Sequence, residues 1–341
     1  MATIGATVKT LIDWAKEQDP DGKPARIVEL LSQTNEVLLD MQFREGNLPT
    51  GHRTTVRTGL PTVAWRLLNG GVTPSKSTSA QIDEQCGMLE AYSEVDVELA
   101  KLNGNEKGFR LNEASAFVEA MNQEMASTLF YGNSGLAPEE FTGLSIRYSS
   151  LSAANGQNII NAGGAGSDNC SIWLIVWGEN TVHGIYPKGS QAGLQHRDLG
   201  EQTVVVGTGI GGAKMQAYLD HWQWKCGLAL RDWRYAVRIA NIDVSNLIAN
   251  SSAADLLTLM IKALHRIPHL GAGRAAFYMN RTCAQMLDIQ RLQALLGTTG
   301  PSARNGGSIG YDQVDGRWVP TFRGIPIRTT DALLETEAAV T

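Results

Sequence analysis

The 341-residue chain holds only four cysteines, Cys86, Cys170, Cys226 and Cys283, and no two of them stand in C-x-x-C spacing. That excludes zinc ribbons and thioredoxin-type motifs built from local spacing, and it leaves scattered thiols packed as small hydrophobes. A basic excess is missing too: 29 Lys and Arg against 34 Asp and Glu give a formal net charge of −5, with no lysine or arginine run. A protein that grips DNA or RNA through phosphate contacts carries a basic face, so tight nucleic-acid binding is not the expected activity. Long apolar runs are absent as well. Nowhere do the roughly 18 consecutive apolar residues of a membrane span occur, and Lys9, Asp13, Lys16 and Glu17 interrupt the start of the chain where a signal peptide would be apolar. The expectation is a protein that folds in a cytoplasm and has no membrane contact.

What is present is an ordinary globular composition, 43% hydrophobic and 18% charged. Helical periodicity runs through VKTLIDWAK (8–16) and ARIVELLSQ (25–33), separated by the turn-rich DPDGKP. From Glu45 to Gln81 the texture changes to glycine, proline and threonine with short extended runs, which reads as a long protruding loop or twisted β-ribbon with little core of its own. The return limb ends in the alternation Val95, Val97, Leu99, the period of a strand. Residues 112–131 predict the clearest helix, with Asn112 as N-cap, Gly132 as stop, and Phe117, Met121, Met125 and Leu129 as one apolar stripe. A small, glycine-rich stretch at 151–169 reads as a boundary or exposed excursion. SIWLIVWG follows as a buried strand, 252–266 as a second capped helix, AAFYMN as a strand, TCAQMLDIQRLQALL as a helix and RWVPTFRGIPIRTTD as closing strands. The class is mixed α+β.

One motif invites an enzymatic reading. TVVVGTGIGGAKM (203–215) places Gly207, Gly209 and Gly212 in G-x-G-x-x-G spacing after a strand, with Asp232 twenty residues beyond, where a ribose-binding acid belongs. A dinucleotide turn needs a helix next, because the helix N-terminus holds the pyrophosphate. Residues 213–221 tolerate a helix, but from Trp222 onward Trp224, Cys226, Leu228 and Leu230 alternate with polar or small residues, a strand period that leaves too little chain for a crossover. A glycine-rich hairpin tip at Gly207, Gly209, Gly211 and Gly212 is therefore the preferred reading, and a nucleotide-dependent oxidoreductase using Gly207 to Gly212 the alternative. The P-loop near-miss GTGIGGAK lacks the hydroxyl that binds magnesium. His265 and His269 are separated by Pro268, which breaks the helix a metal pair needs, and no G-x-S-x-G elbow occurs. Neither a cofactor nor a catalytic or metal site is expected. Glu94, Asp96 and Glu98 alternate along the return limb as a solvated face or an inter-subunit salt-bridge edge. A long ribbon with Arg53, Arg57 and Arg66 and no core of its own calls for another surface to lie on.

Five phrases carry a likeness to a known family: EGNLPTGHRTTVRTGLPTVAWRLLN (45–69), EAMNQEMASTLFYGN (119–133), PEEFTGLSIRY (138–148), SIWLIVWGENTVHGIYPKGSQAGLQHRDLG (171–200) and HWQWKCGLALRDWRYAVRIANID (221–243). Over almost its full length the chain resembles the major capsid proteins of tailed bacteriophages, in particular the short-tailed group. The resemblance implies the shell fold shared by tailed phages and herpesviruses: an N-terminal arm (1–44), an E-loop ribbon (45–102), a peripheral domain (103–150) with its spine helix at 112–131, an axial domain (151–330) with strands returning to the peripheral domain, and a C-terminal tail (331–341). It implies self-assembly into hexamers and pentamers of an icosahedral head around double-stranded DNA held without sequence specificity. Implied partners are other copies of the chain, a portal protein, a separate scaffolding protein or none, since no long charged helical segment is present, and a decoration or cement protein. The place of action is the virion, after synthesis and assembly in the bacterial host cytoplasm. Arg53, Arg57 and Arg66 would donate to acidic groups on the next subunit.

Overall fold

The computed structural model describes residues 32–102, 106–206, 212–249, 253–295, 309–314 and 317–341. In chain order the elements are α1 (Val37–Asp40), β1 (Phe43–Glu45), β2 (Gly51–Gly59), β3 (Thr78–Asp96), α2 (Val97–Lys101), α3 (Glu106–Tyr131), α4 (Leu144–Arg147), β4 (Ile159–Asn161), β5 (Asn169–Trp177), β6 (Val182–Tyr186), β7 (Leu194–Val206), β8 (Ala213–Leu230), β9 (Ala236–Asp243), α5 (Val244–Ala249), α6 (Leu256–Leu264), β10 (Arg274–Met279), α7 (Arg281–Leu295), β11 (Ile309–Val314), β12 (Arg317–Phe322) and β13 (Ile325–Thr329). The helical stretches read at 8–16 and 25–33 lie, but for the last two residues, outside the described residues.

Strand β5 organises the body. All nine of its residues are buried, because β9 and β10 flank it antiparallel and helices cover both faces. Side chains alternate across a strand, so Ile172, Leu174 and Val176 join Met260, Ala263 and Leu287 of α6 and α7 in one core. Trp173, Ile175 and Trp177 point the other way, into a second core with Met125, Leu129 and Phe130 of α3. A run apolar on every residue is what a strand buried on both faces requires.

The second feature is length. β3 has 19 residues, which at about 3.4 Å each spans roughly 60 Å. Its two halves have different partners. Thr78 to Gln85 pair with β2 alone, from Gly59↔Thr78 to Gly51↔Gln85, and Cys86 to Asp96 pair with β8, from Cys86↔Gly227 to Asp96↔Ala217. β7 lies on the far side of β8, with Val206 opposite Ala213. One end of β3 is thus a two-stranded ribbon leaving the body, and the other is part of the main sheet under α3.

Three local expectations change. The long helix begins at Glu106, not at an Asn112 cap. Phe109 packs with Val95, Leu99 and Ala100, and Arg110 bonds Asp220 at 3.0 Å and Asp198 at 2.8 Å, so tertiary contacts continue the helix past the local cap signal. Val97 and Leu99 are helical rather than extended, because the Asp96 carboxylate accepts from the backbone N–H groups of Glu98 and Leu99 and caps α2. The glycine-rich stretch at 151–169 is not wholly an excursion either: Ile159 and Ile160 are buried where β4 adds parallel to β9.

Residues 331–341 are tied into the core. Glu337 pairs with Arg238 at 2.9 Å, both side chains 5% exposed, and accepts from the hydroxyls of Tyr131 and Ser171. Arg238 also donates to the carbonyl oxygen of Tyr148 at 2.9 Å. This knot joins the end of α3, β5, β9 and the chain terminus. No helix among the described residues is long and apolar enough to cross a membrane.

Candidate functional site: an extended ribbon

The ribbon stands on a buried ion pair. Glu84, at the base of β3's free half, receives both ends of the Arg147 guanidinium at 2.6 Å, and the side chains are only 8% and 16% exposed. Arg147 also donates to the carbonyl oxygens of Thr142 and Leu228, which clamps the ribbon root to α4 and to β8. A planar guanidinium on a carboxylate fixes orientation as well as distance. Beside the clamp, His52 of β2 faces His183 of β6 edge-on, with ring centroids 6.1 Å apart. Burial, then the nearby Arg231, holds the His183 imidazole down at about 4. Burial and Arg231 also lower His52, against a smaller opposing effect of Glu84.

Beyond Gly59 every residue to Ser77 is exposed. Among them Leu60, Val63, Trp65, Leu67 and Leu68 are 80% to 104% exposed, an apolar cluster that lies on nothing among the described residues. The tip nevertheless has shape. Ser75 Oγ donates across it to the Thr62 carbonyl oxygen at 2.7 Å, and Gly70 N–H closes a turn on the Leu67 carbonyl oxygen at 3.0 Å with Asn69 at φ 65°. Exposed apolar patches that survive in a folded chain mark contact surfaces.

The arginines singled out in the sequence fall in three different settings. Arg53 is engaged within the ribbon: Nε and Nη2 each lie 2.6 Å from the Asp83 carboxylate across the strand pair, which holds the Asp83 carboxyl below its usual range. Arg57 is exposed at the mouth of a cavity of about 1050 Å³ that Arg231 and Arg234 also line. Arg66 sits on the exposed tip. Neither Arg57 nor Arg66 has a hydrogen bond or ion pair among the described residues. Glu94 lies in β3, Asp96 is spent on the α2 cap, and Glu98 is exposed in that helix. Of the glycines, Gly207, Gly209 and Gly211 lie outside the described residues, and Gly212 leads into β8.

No sequence pattern pointed to Glu84, Arg147 or the paired histidines, since their partners are far away in the chain. That the stretch from 45 to 81 protrudes without a core was legible, but the apolar side chains gathered at 60–68 were not singled out.

The dinucleotide reading fails on topology. The segment after the glycines is the 18-residue strand β8, antiparallel to β7, so no helix N-terminus follows the loop. Asp232, the would-be ribose ligand, accepts from Arg234 through its backbone N–H at 3.1 Å and its Nε at 2.9 Å. The thiols are no better placed for chemistry: burial raises Cys86 to about 11, and Cys170, only 2.8 Å from Cys283, is raised by that contact and by burial. Among the described residues no three His, Cys, Asp or Glu side chains converge as a metal site.

A body built on one central sheet, a long helix across that sheet, and a two-stranded arm whose apolar end is exposed together define a shell-building subunit. The comparisons agree, and the chain belongs to the major capsid protein GP7 family, whose model matches residues 19–341. It is 33% identical to a chain of the solved structure of bacteriophage Epsilon15, with both chains covered over 100% of their length and a TM-score of 0.77. The capsid of bacteriophage JBD30 is more distant, at 10% identity over 89% of this chain and 93% of that one with a TM-score of 0.48. The capsid of the native GTA particle aligns at 10% identity over 65% and 94%, with a TM-score of 0.44. No curated protein matches the chain. The fold is the tailed-phage capsid shell fold, and the function is formation of the capsid shell.

Proposed function

We propose that copies of this chain form hexamers and pentamers that close into an icosahedral head around double-stranded DNA. The ribbon of each subunit lies over a neighbour in the same capsomer. The observation that carries this reading is the tip: five large apolar side chains at 80% exposure or more, on an arm with no core of its own. Burying them fully on a neighbour is worth about 1.5–3 kcal/mol each before ordering costs, and many such contacts around a closed shell add up through multivalency. The division of labour follows: an arm at 1–44, the ribbon at 45–102, a peripheral part at 103–150, an axial part at 151–330 and a tail at 331–341. Heterologous contacts whose rotations close build the rings.

The role is structural, without catalysis, which suits thiols raised by burial at Cys86 and Cys170 and a glycine-rich stretch followed by the strand β8 rather than by a helix. A net charge of −5 suits a wall that does not adsorb its genome tightly. Portal, scaffolding and decoration proteins are further partners, and assembly takes place in the bacterial host cytoplasm before the protein resides in the virion. Negative-stain microscopy and size-exclusion chromatography of the purified chain test the reading. Capsomers or shells are the expected result, and a small oligomer with tight NAD binding overturns it.

A further inference from the structure

A second cavity, of about 270 Å³, opens where α3, β3 and the 139–141 loop meet. Its floor is apolar, with Met125 4% and Phe141 3% exposed, and Met88, 62% exposed, stands at its side. Its rim is acidic, carrying Glu124, Glu139 and Glu140. Glu140 accepts only a long bond from the Asn133 N–H at 3.3 Å, and Glu124 and Glu139 have no hydrogen bond or ion pair among the described residues. The close approach that shapes the cavity depends on Gly87, where a Cβ would come within 2.9 Å of the Glu139 carbonyl oxygen.

The ribbon tip has the complementary chemistry. From Thr54 to Ile82 every charged residue is basic, namely Arg57, Arg66 and Lys76. Trp65, 104% exposed, sits next to Arg66, and Trp and Arg are the side chains that most often anchor interfaces. The larger cavity is a poor receptor for a basic tip, because its two acids, Glu84 and Asp232, are already paired with Arg147 and Arg234, which leaves Arg57 and Arg231 in excess.

We propose that Trp65 of one copy fills the Met125–Phe141 cavity of a second copy, with Arg66 bonded to the glutamate rim. This rests on the shell reading and specifies its contact. The occupant has to come from another copy. The cavity lies at residues 87–89 of β3, inside the body, whereas the tip begins beyond Thr78, roughly 30–37 Å away along a paired ladder that cannot fold back.

The test uses the full chain. Trp65→Ala and Arg66→Glu should each lower the yield of closed shells at fixed subunit concentration by at least about tenfold, as loss of an interface anchor does. The denaturation midpoint of the unassembled subunit should not change, because both side chains are exposed and neither is packed against the body among the described residues. Arg66→Glu combined with Glu139→Arg should restore assembly. As a second measurement, W65C with M88C should give a ladder of covalent multimers on mild oxidation. Wild-type shell yield from Trp65→Ala, a charge swap that restores nothing, or cross-links confined to single chains overturns the pocket assignment and leaves the shell reading standing. A wild-type chain that makes neither capsomers nor shells overturns the shell reading itself.

Discussion

Replacing Glu84 by alanine should free the ribbon from the body. Breaking a buried ion pair by removing one partner costs about 3–5 kcal/mol when the other charge is left without compensation. Arg147 is 16% exposed and keeps the carbonyl oxygens of Thr142 and Leu228, so the lower figure of about 2–3 kcal/mol for lost hydrogen bonds to a charged group applies. Among the described residues β2 is an edge strand that pairs only with β3, and its register partner for His52 is Glu84 itself, so the loss should fall on ribbon opening more than on global unfolding. Hydrogen exchange read by mass spectrometry reports this directly. Peptides covering Gly51–Gly59 should exchange about 30- to 150-fold faster, the factor that 2–3 kcal/mol corresponds to. Peptides covering Asn169–Trp177, buried on both faces of the sheet, should be unaffected. Crossing Glu84→Ala with Arg147→Met should show a coupling of about 2 kcal/mol. Equal acceleration in both regions, or none in β2, would refute the idea that this pair sets the ribbon's attachment.

Two further outcomes follow from the same kind of reasoning. Glu337→Ala strands Arg238 in the core and removes the acceptor of Tyr131 and Ser171, so the subunit should lose about 3–5 kcal/mol in urea unfolding; a loss below about 1 kcal/mol, the range of exposed pairs, would contradict its burial. His183 binds fewer protons folded than unfolded, so its contribution to stability is fully present above its unfolded value of about 6.5 and is lost as pH falls through that value toward about 4. Urea midpoints at several pH values should show a drop over this window that His183→Gln flattens, and an unchanged slope in the variant would assign the acid sensitivity elsewhere.

Much was legible from local order. The strand period after Trp222 was enough to reject a dinucleotide turn, because side chains alternate in a strand whatever it pairs with, and β8 runs unbroken through that stretch. The continuous apolar run SIWLIVW announced a strand covered on both faces, and the glycine- and proline-punctuated stretch after Glu45 announced chain without a core. Local order misled where tertiary contact outweighed it. Asn112 looks like a cap, yet Phe109 and Arg110 find partners in the sheet and carry the helix back to Glu106; Val97 and Leu99 look extended, yet one carboxylate at Asp96 turns them into a helix.

What the sequence by itself determined is therefore the inventory: which stretches alternate, which stripe a helix, and which cannot bury themselves. What only the tertiary structure decided is who meets whom. Arg147 and Glu84 are 63 residues apart, and Arg238 and Glu337 are 99 apart, distances over which periodicity carries no information. Those pairs form because folding removes water from both partners at once, at the ribbon root for one pair and beside β5 for the other, and a charge so buried must find its opposite wherever in the chain that lies.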